Sequence, residues 1–514
     1  MHRWCCSLFC LGLLGASQAA TLDAAGESQR AAHVLNRLGY GPRPGDLARV
    51  SAMGIDRYID AQLDPATLPL PENLTRALDA LTTTHPGAGR ELAAFLAARA
   101  AARDDDVGAK RERREVIARI TRETAQARLV RAIDSPRQLE EVMTDFWFNH
   151  FNVFAGKGLD RALIGDYERD AIRPYALGHF RDLLGATAKA PAMLFYLDNW
   201  TSSAATQATP QPTSPTVNNV LDSVPVAGAR KPKARATGIN ENYARELMEL
   251  HTLGVDGGYS QHDVTELARM LTGWSFVPRA LAETGRGFVF DARRHDNGDK
   301  QWLGHVIHPQ GQQEGEQALD ILAAHPATAR HLSFQLAQYF VRDEPPPALV
   351  ERMAQRYLNS GGDIRAVLHL LFHSPEFMAP ETIGAKFKTP YQFVVSAARA
   401  SGYSVTNVAP LSAALQQLGM PLFGCPTPDG YKNTRVAWLN PDALTRRIAF
   451  VTTLASGRLP LTGMPEPASA GIDARVLRTT LGSVITPRTM AVTNDNPPAM
   501  QAALLLGSPD FMQH

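Results

Sequence analysis

Apolar residues recur at spacings of three and four along most of the chain, which is the pattern of amphipathic helices that share a core. The segment 41–63, "GPRPGDLARVSAMGIDRYIDAQL", predicts a turn followed by short helices. Residues 90–133 are rich in Ala, Arg and Glu, which favour long helices with a solvated face. The pattern therefore predicts a mainly α, multi-helical globular protein.

One segment, residues 286–308, departs from the helical pattern. Two short runs of β-favouring residues flank Asn297-Gly298, and both positions of an Asn-Gly pair tolerate the positive φ of a two-residue turn. We expect one small β-hairpin insertion here, with its turn at Asn297-Gly298.

A low-complexity segment occupies residues 201–238. It is rich in Ser, Thr, Ala and Pro and has few large apolar residues, so it cannot bury enough surface to offset the entropy of ordering. We predict a disordered loop that divides the chain into helical parts at 20–200 and 239–514. The loop either separates two domains or interrupts a single one.

The first 19 residues have the features of a secretory signal peptide. Arg3 supplies a positive charge, and residues 4–16 form an apolar stretch that is too short for a stable membrane span. Ser17 and Ala19 place small residues at a cleavage site before Ala20. An uncleaved anchor is the alternative. A cleaved signal peptide predicts a periplasmic or secreted protein.

Charge and cysteine content limit the classes of function. The chain has 52 basic and 51 acidic residues, and cleavage removes one base, so the mature chain carries no net charge. Because a nucleic-acid binder needs a basic surface, we expect no nucleic-acid partner. No stretch of the mature chain approaches ~18 uninterrupted apolar residues, so we expect no transmembrane span. Cys425 is the one cysteine outside the signal peptide, so the mature chain has no internal disulfide.

Carboxylates and imidazoles are concentrated in residues 239–274. Asn240 is a favourable N-cap for a helix over 241–253, and Ser260 with Asp263 predicts a capping box at the start of the next helix. These signals account for part of the polar content as helix ends.

Two acids in the first of these helices are not accounted for by capping. Glu246 and Glu249 lie three residues apart and therefore share a helix face. His251 comes two residues after Glu249, about 200° around the helix, so we expect it to point away from the acids. The acidic face is either a solvated surface or part of a site.

His150 lies within an aromatic stripe of residues 142–154, "VMTDFWFNHFNVF". A buried imidazole needs a partner, which is either a carboxylate or a backbone carbonyl. We expect Glu246 and Glu249 to face His150 across a helix–helix contact, where they would keep the imidazole charged or share a cation with it. Asp198, in "YLDNW" just before the low-complexity segment, completes the set of candidate catalytic residues.

The remaining motifs do not identify a reaction. His295, Asp296 and Lys300 surround the predicted turn, where polar side chains often bond to the backbone. The sequence has no Gly-x-Ser-x-Gly, phosphate-loop, dinucleotide-binding or His-Glu-x-x-His motif, so it indicates no particular cofactor or metal. Two classes of function remain: a hydrolase or metal-dependent enzyme with its site in a helical cleft, and a non-catalytic accessory or binding protein.

Several long motifs resemble, in order, those of the bacterial domain of unknown function (DUF) family 1800. The resemblance extends from about Ala31 to Met512. It is specific because so many long motifs match in the same order. The matching segments are 33–47, 146–154, 172–199, 240–274, 295–305, 361–377 and 386–400.

This resemblance implies a predominantly helical, exported protein in which residues 20–514 form one family-length domain. It also implies a co-secreted partner that is similar to alkaline phosphatases, and it implies no established reaction. Cys425 and Tyr431, in "GCPTPDGY", stand where the family usually has Pro and Trp. The candidate positions that carry over are Asn149, His150, Asp198, Asn199, residues 240–251, Asp263, Trp274, His295, Asp296 and Lys300.

We predict that the signal peptide is removed in the native organism, because Arg3, the short apolar stretch and Ser17-Gln18-Ala19 together fit a signal peptidase substrate. N-terminal sequencing of the protein from the native cell envelope should start at Ala20. Membrane-bound protein that still begins at Met1 would show instead that the segment is an anchor.

Overall fold

Helices form most of the structure, and the predicted mainly α fold class is confirmed. The computed structural model describes residues 26–85, 87–102, 106–204, 238–462 and 471–514. The predicted signal peptide and all but the two ends of the predicted loop at 201–238 lie outside the described residues.

The first group of helices precedes residue 205. The longest, α6, has 28 residues and begins after Asp106, whose side chain accepts a hydrogen bond from the Gly108 N–H. A π-helical segment, Tyr167–Ile172, follows α8. The helices are α1 (26–37), α2 (Asp46–Met53), α3 (Ile55–Leu63), α4 (Glu72–Asp79), α5 (Arg90–Ala101), α6 (Val107–Asp134), α7 (Gln138–His150), α8 (Asp160–Asp166), α9 (Phe180–Lys189) and α10 (Pro191–Tyr196).

The second group follows residue 238. Many of these helices begin with a capping side chain followed by Pro, whose fixed φ suits the first helical position; Thr389, Asn440 and Ser508 are such caps. The helices are α11 (Glu241–Glu249), α12 (Gln261–Met270), α13 (Pro278–Thr284), α14 (Gln312–Ala324), α15 (Pro326–Phe340), α16 (Pro347–Asn359), α17 (Ile364–Phe372), α18 (Pro390–Ser401), α19 (Ala409–Gln417), α20 (Arg435–Trp438), α21 (Pro441–Ala455), α22 (Ala474–Leu481), α23 (Pro487–Asn494), α24 (Pro498–Leu506) and α25 (Pro509–Met512).

The predicted small hairpin is present, but its turn is not at Asn297-Gly298. Strands β3 (Lys300–Trp302) and β4 (His305–Ile307) pair antiparallel across Leu303-Gly304, where both residues have positive φ. The earlier β-favouring run forms β2 (Phe288–Phe290), which pairs with β1 (Trp274–Phe276) in a separate two-stranded sheet. The Asn-Gly pair predicted that the two runs beside it would pair with each other. Instead the first run, β2, pairs with β1, which lies before residue 286.

A buried ion-pair network holds the hairpin on the helices. Glu314, at the start of α14, places its carboxylate oxygens 2.9 Å from His295 Nε2 and 2.6 Å from Lys300 Nζ. Lys300 and Glu314 are both completely buried. Glu314 also accepts hydrogen bonds from the backbone N–H groups of Gln310 and Gly311. The turn residues singled out from the sequence therefore have a structural role.

The buried apolar side chains form one continuous cluster that includes residues from both groups of helices, from Ala31 to Met512. Helix α18 lies near its centre, since every residue from Pro390 to Ala400 is buried. It packs against α6, α19, α21 and α22. The Arg37 guanidinium ties α1 to the carbonyls of Val341 and Thr382, more than 300 residues away. Within the described ranges, no helix combines the length and apolar character that crossing a membrane requires.

The replacement Glu314→Gln should lower the free energy of unfolding by about 3–5 kcal/mol, because it removes the nearer counter-charge of the buried Lys300 ammonium and leaves only Asp296 Oδ1 at 3.8 Å. Urea denaturation measures the loss. A matched control is Glu283→Gln, which breaks the exposed pair with Arg279 and should cost no more than about 1 kcal/mol. Equal losses in the two variants would contradict the structural role of Glu314.

Candidate functional site

A cavity of about 270 Å³ lies where α7, α15, the end of α11 and the loop 420–433 meet. His150 and Glu249, two of the four candidate catalytic residues, line it. Several more polar residues line it, so the cavity is the candidate site. These residues are Asp145, Asn149, His331, Gln335, Asp429, Tyr431 and Lys432.

His150 occupies the aromatic stripe that the sequence predicts for α7. Its ring lies edge-on to Trp147 and Phe151, with ring centroids 5.4 and 4.5 Å away, and parallel to Phe146 at 6.4 Å. Its Nε2 lies 3.1 Å from the carbonyl oxygen of His251. Burial, followed by the nearby His331, lowers the pKa of His150 to about 3. The partners of the imidazole are therefore the His251 carbonyl and the Gln335 side chain, and burial favours its neutral form.

The backbone at His251 differs from the regular helix that the sequence predicts over 241–253. Helix α11 ends at Glu249, and the wider turn that follows has the His251 N–H bonded to the Glu246 carbonyl at 3.1 Å. Helical spacing therefore does not apply at His251, which packs against His150 with ring centroids 6.1 Å apart. Burial lowers the pKa of His150, which disagrees with the predicted charged imidazole. The other predicted arrangement, a cation shared with the acids, stays a prediction.

Gly254 shapes the loop after α11. Its φ is +82°, as expected of a glycine that ends a helical turn, although the helix itself ends earlier than residue 253. A Cβ at this position would lie 2.9 Å from Nδ1 of His331, so only glycine fits beside that ring. His331 hydrogen-bonds the Leu250 backbone, which ties α15 to the same loop.

Besides Asp145, three carboxylates lie at or beside the cavity; Glu249 and Asp429 line it, whereas Glu246 does not. Glu249 lines it and accepts a hydrogen bond from the Tyr259 hydroxyl at 3.2 Å. Glu246 is half-buried, and burial, then the negative charges of Glu249 and Asp429, raise its pKa. Partial burial acts to raise the pKa of Asp429 too, but hydrogen bonds, first of all from Lys432, lower it overall. The Lys432 ammonium lies 2.8 Å from Asp429 Oδ2.

Asp198 has a different environment from the other candidates. It is exposed, has a φ of +61°, and its carboxylate pairs with Lys157 at 2.8 Å. Its neighbour Asn199 is buried and donates to the carbonyls of Leu271 and Trp274. In the described structure Asp198 does not line the cavity. The "YLDNW" segment follows α10 and, through Asn199, contacts the end of α12 and the start of β1.

The loop 420–433 supplies cavity residues that the sequence did not single out. Asn149 clamps it, since its Oδ1 accepts from the Tyr431 N–H at 2.7 Å and its Nδ2 donates to the Tyr431 carbonyl at 2.9 Å. Gly430 has a φ of +66°, and a Cβ there would lie 2.3 Å from the Asn149 carbonyl oxygen. The one sequence signal for this loop was the departure at Cys425 and Tyr431.

Arg128, which is buried in α6, supports the part of the cavity wall that Asp145 forms. It bonds Asp145 of α7 and lies 2.9 Å from Glu168 Oε2. Burial raises the pKa of Asp145, while the charge of Arg128 acts to lower it. This part of the wall is therefore a fixed ion-pair network. Because Arg128 already pairs with two carboxylates, its guanidinium is not available to bind a substrate.

The cavity contains possible metal donors, but they do not converge. Among the described residues, no three carboxylate, imidazole or thiol donors at the cavity lie within 4.8 Å of one another. The Nε2 of His150 also faces a carbonyl oxygen. The arrangement is better suited to proton transfer by carboxylates than to a preformed metal site.

The chain belongs to the family described as "Protein of unknown function (DUF1800)", which it matches over residues 33–513. The resemblance expected from the sequence motifs is thus confirmed over nearly the whole chain. No curated protein and no solved structure matches it.

The stability of the protein should depend on the neutral state of His150. Its pKa is about 3 in the folded state and ordinarily 6.5, so between these values the unfolded chain binds more protons. The contribution of His150 is complete above pH 6.5 and is lost as the pH falls toward 3, at about 1.4 kcal/mol per pH unit. His150→Gln should remove that slope.

Urea denaturation between pH 6.5 and 5 measures the effect. The control is His262→Gln, which alters an exposed imidazole and should keep the wild-type slope. An unchanged slope in His150→Gln would show that this imidazole is not held neutral.

Proposed function

We propose that the protein is an exported hydrolase whose active site is the cavity between α7, α11, α15 and the loop 420–433. Glu246 acts as the general acid, and Asp429 acts as the general base that activates water. The observation that carries the proposal is the gathering of acidic side chains at one cavity, with Glu249 and Asp429 in its lining and Glu246 beside them. The pKa values of Glu246 and Asp429 are displaced in opposite directions, Glu246 upward and Asp429 downward. Such pairs are typical of acid–base catalysis.

The causes of the two displacements suit these roles. Glu246 is half-buried beside Glu249 and Asp429, so it retains a proton to higher pH than a solvated acid and can donate it to a leaving group. Asp429 is stabilised as a carboxylate by Lys432, so it remains ionised and can accept a proton from water. Glu249, held by Tyr259, maintains the negative potential.

Residues that line the cavity position the Glu246 and Asp429 carboxylates and shape the substrate site. His150 is neutral and bonded to the His251 carbonyl, so it fixes the loop after α11 instead of exchanging protons. Asn149 fixes the loop that carries Asp429. Since the carboxylates outnumber the cations at the rim, the site favours a neutral or cationic substrate over an anionic one.

A non-catalytic accessory protein is the second candidate. Val436 is 91% exposed and Leu439 is 40% exposed, close after the cavity residue Asn433. Exposed apolar side chains beside a cavity can contact another protein. The partner that the family resemblance implies, a co-secreted protein similar to alkaline phosphatases, is the one to test for complex formation.

The enzymatic proposal predicts turnover of neutral chromogenic esters, amides or glycosides, with an optimum on the acid side of neutrality. The rate should fall at low pH as Asp429 is protonated and at higher pH as Glu246 loses its proton. Glu246→Gln and Asp429→Asn should each lower kcat/KM by at least ~100-fold. Steady-state kinetics of the purified mature chain against a panel of 4-nitrophenyl substrates provides the measurement.

Glu241→Gln is the matched control, because Glu241 lies on α11 but bonds Gln261 and Thr265; its rate should equal the wild-type rate. Anionic phosphate esters in the panel should be the poorest substrates. Wild-type rates in both active-site variants, or no turnover of any neutral substrate, would favour the accessory function.

A further inference from the structure

Three possible metal ligands converge on the surface where α3 packs against α17. They are Asp60 of α3 together with His369 and His373, which are four residues apart at the end of α17. One donor atom from each lies within 4.8 Å of the others. A spacing of four places both imidazoles on the same side of a helix, which is a common way for a helix to supply two metal ligands.

The hydrogen bonds leave suitable lone pairs free. His373 Nδ1 lies 2.9 Å from the His369 carbonyl oxygen and donates its proton there, so the Nε2 of a neutral His373 is a free lone-pair donor. A bond of this kind from the second ring nitrogen to a carbonyl is the usual support of a metal-binding histidine. His369 Nε2 faces Asp60 Oδ1 at 3.8 Å.

The local electrostatics also favour a cation. Helix α17 ends at Phe372, so both imidazoles lie at its C-terminal end, where the helix dipole is negative. The two rings are stacked with centroids 4.2 Å apart. Two charged imidazoles would repel each other in this arrangement, whereas two neutral imidazoles can ligate one ion together with the Asp60 carboxylate.

We propose that Asp60, His369 and His373 bind a divalent transition-metal ion of the zinc class. Two nitrogens and one carboxylate oxygen suit zinc, while magnesium and calcium prefer oxygen ligands alone. Tetrahedral zinc needs ligand atoms roughly 3.3 Å apart, given bonds of about 2.0–2.1 Å. His369 and Asp60 are 57% and 61% exposed, so their side chains can rotate to close the gap.

Three protein ligands leave at least one coordination position open for water or for a donor from another molecule. The metal links α3 to α17 and should therefore stabilise the packing of these helices. The three ligands do not line the cavity assigned to hydrolysis. A test of the zinc site is therefore independent of a test of the proposed function.

Isothermal titration calorimetry with Zn²⁺ tests the site, using the full mature chain without a histidine tag. The wild type should bind one zinc ion. His369→Gln, His373→Gln and Asp60→Asn should each bind it at least ~10-fold more weakly. The control is His308→Gln, which removes another exposed imidazole that lies 3.0 Å from an aspartate, Asp299, and should leave zinc affinity unchanged.

The thermal unfolding midpoint gives a second readout. Zinc should raise the midpoint of the wild type and of His308→Gln, and should leave that of His373→Gln unchanged. The midpoints without zinc show whether the variants are folded, as expected for exposed positions. The proposal is overturned if the wild type binds no zinc, or if the three ligand variants bind it as tightly as the wild type.

Discussion

The buried guanidinium of Arg128 is the constraint on which the cavity depends. It lies inside α6, where the carboxylates of Asp145 and Glu168 neutralise it. Its Cζ atom lies over three aromatic rings, 4.9, 5.3 and 5.0 Å from the ring centroids of Phe148, Tyr391 and Phe423. A buried charge is tolerated only with such complete compensation, so the elements that supply these groups are held in one relative position: α6, α7, the π-helical segment, α18 and the loop 420–433.

A second layer of contacts extends this rigidity to the functional groups. Asn149 comes four residues after Asp145 on α7, so the ion pair that fixes α7 also fixes the amide that clamps Tyr431. The clamp positions Asp429, two residues before Tyr431. The buried wall therefore orients the acidic rim even though Arg128 itself does not line the cavity. The cavity combines buried imidazoles, whose pKa values burial lowers, with carboxylates that are either paired with Arg128 or partly exposed to solvent.

The histidines show how burial decides the chemistry of one residue type. Burial strongly lowers the pKa values of His150 and His251, so these rings act as hydrogen-bonded packing groups. His369 and His373 are exposed at a helix end, where their ring nitrogens are accessible from solvent. The sequence shows imidazoles in all these places, but only their depth in the structure separates the two roles.

Features that depend on neighbours along the chain could be predicted from the sequence. Asn240 caps α11, Ser260 and Asp263 form a capping box, and His150 lies in an aromatic stripe, because capping and helical periodicity act within about four residues. Three contacts depend on the tertiary structure: the pairing of β1 with β2, the contact of His251 with His150, and the clamp between Asn149 and Tyr431. Those partners are separated by between 12 and 282 residues, and no local pattern records which distant groups a buried polar atom or strand edge will meet. The carboxylate pair at the cavity belongs to this second kind, since Glu246 and Asp429 acquire their opposite pKa displacements only when the chain folds.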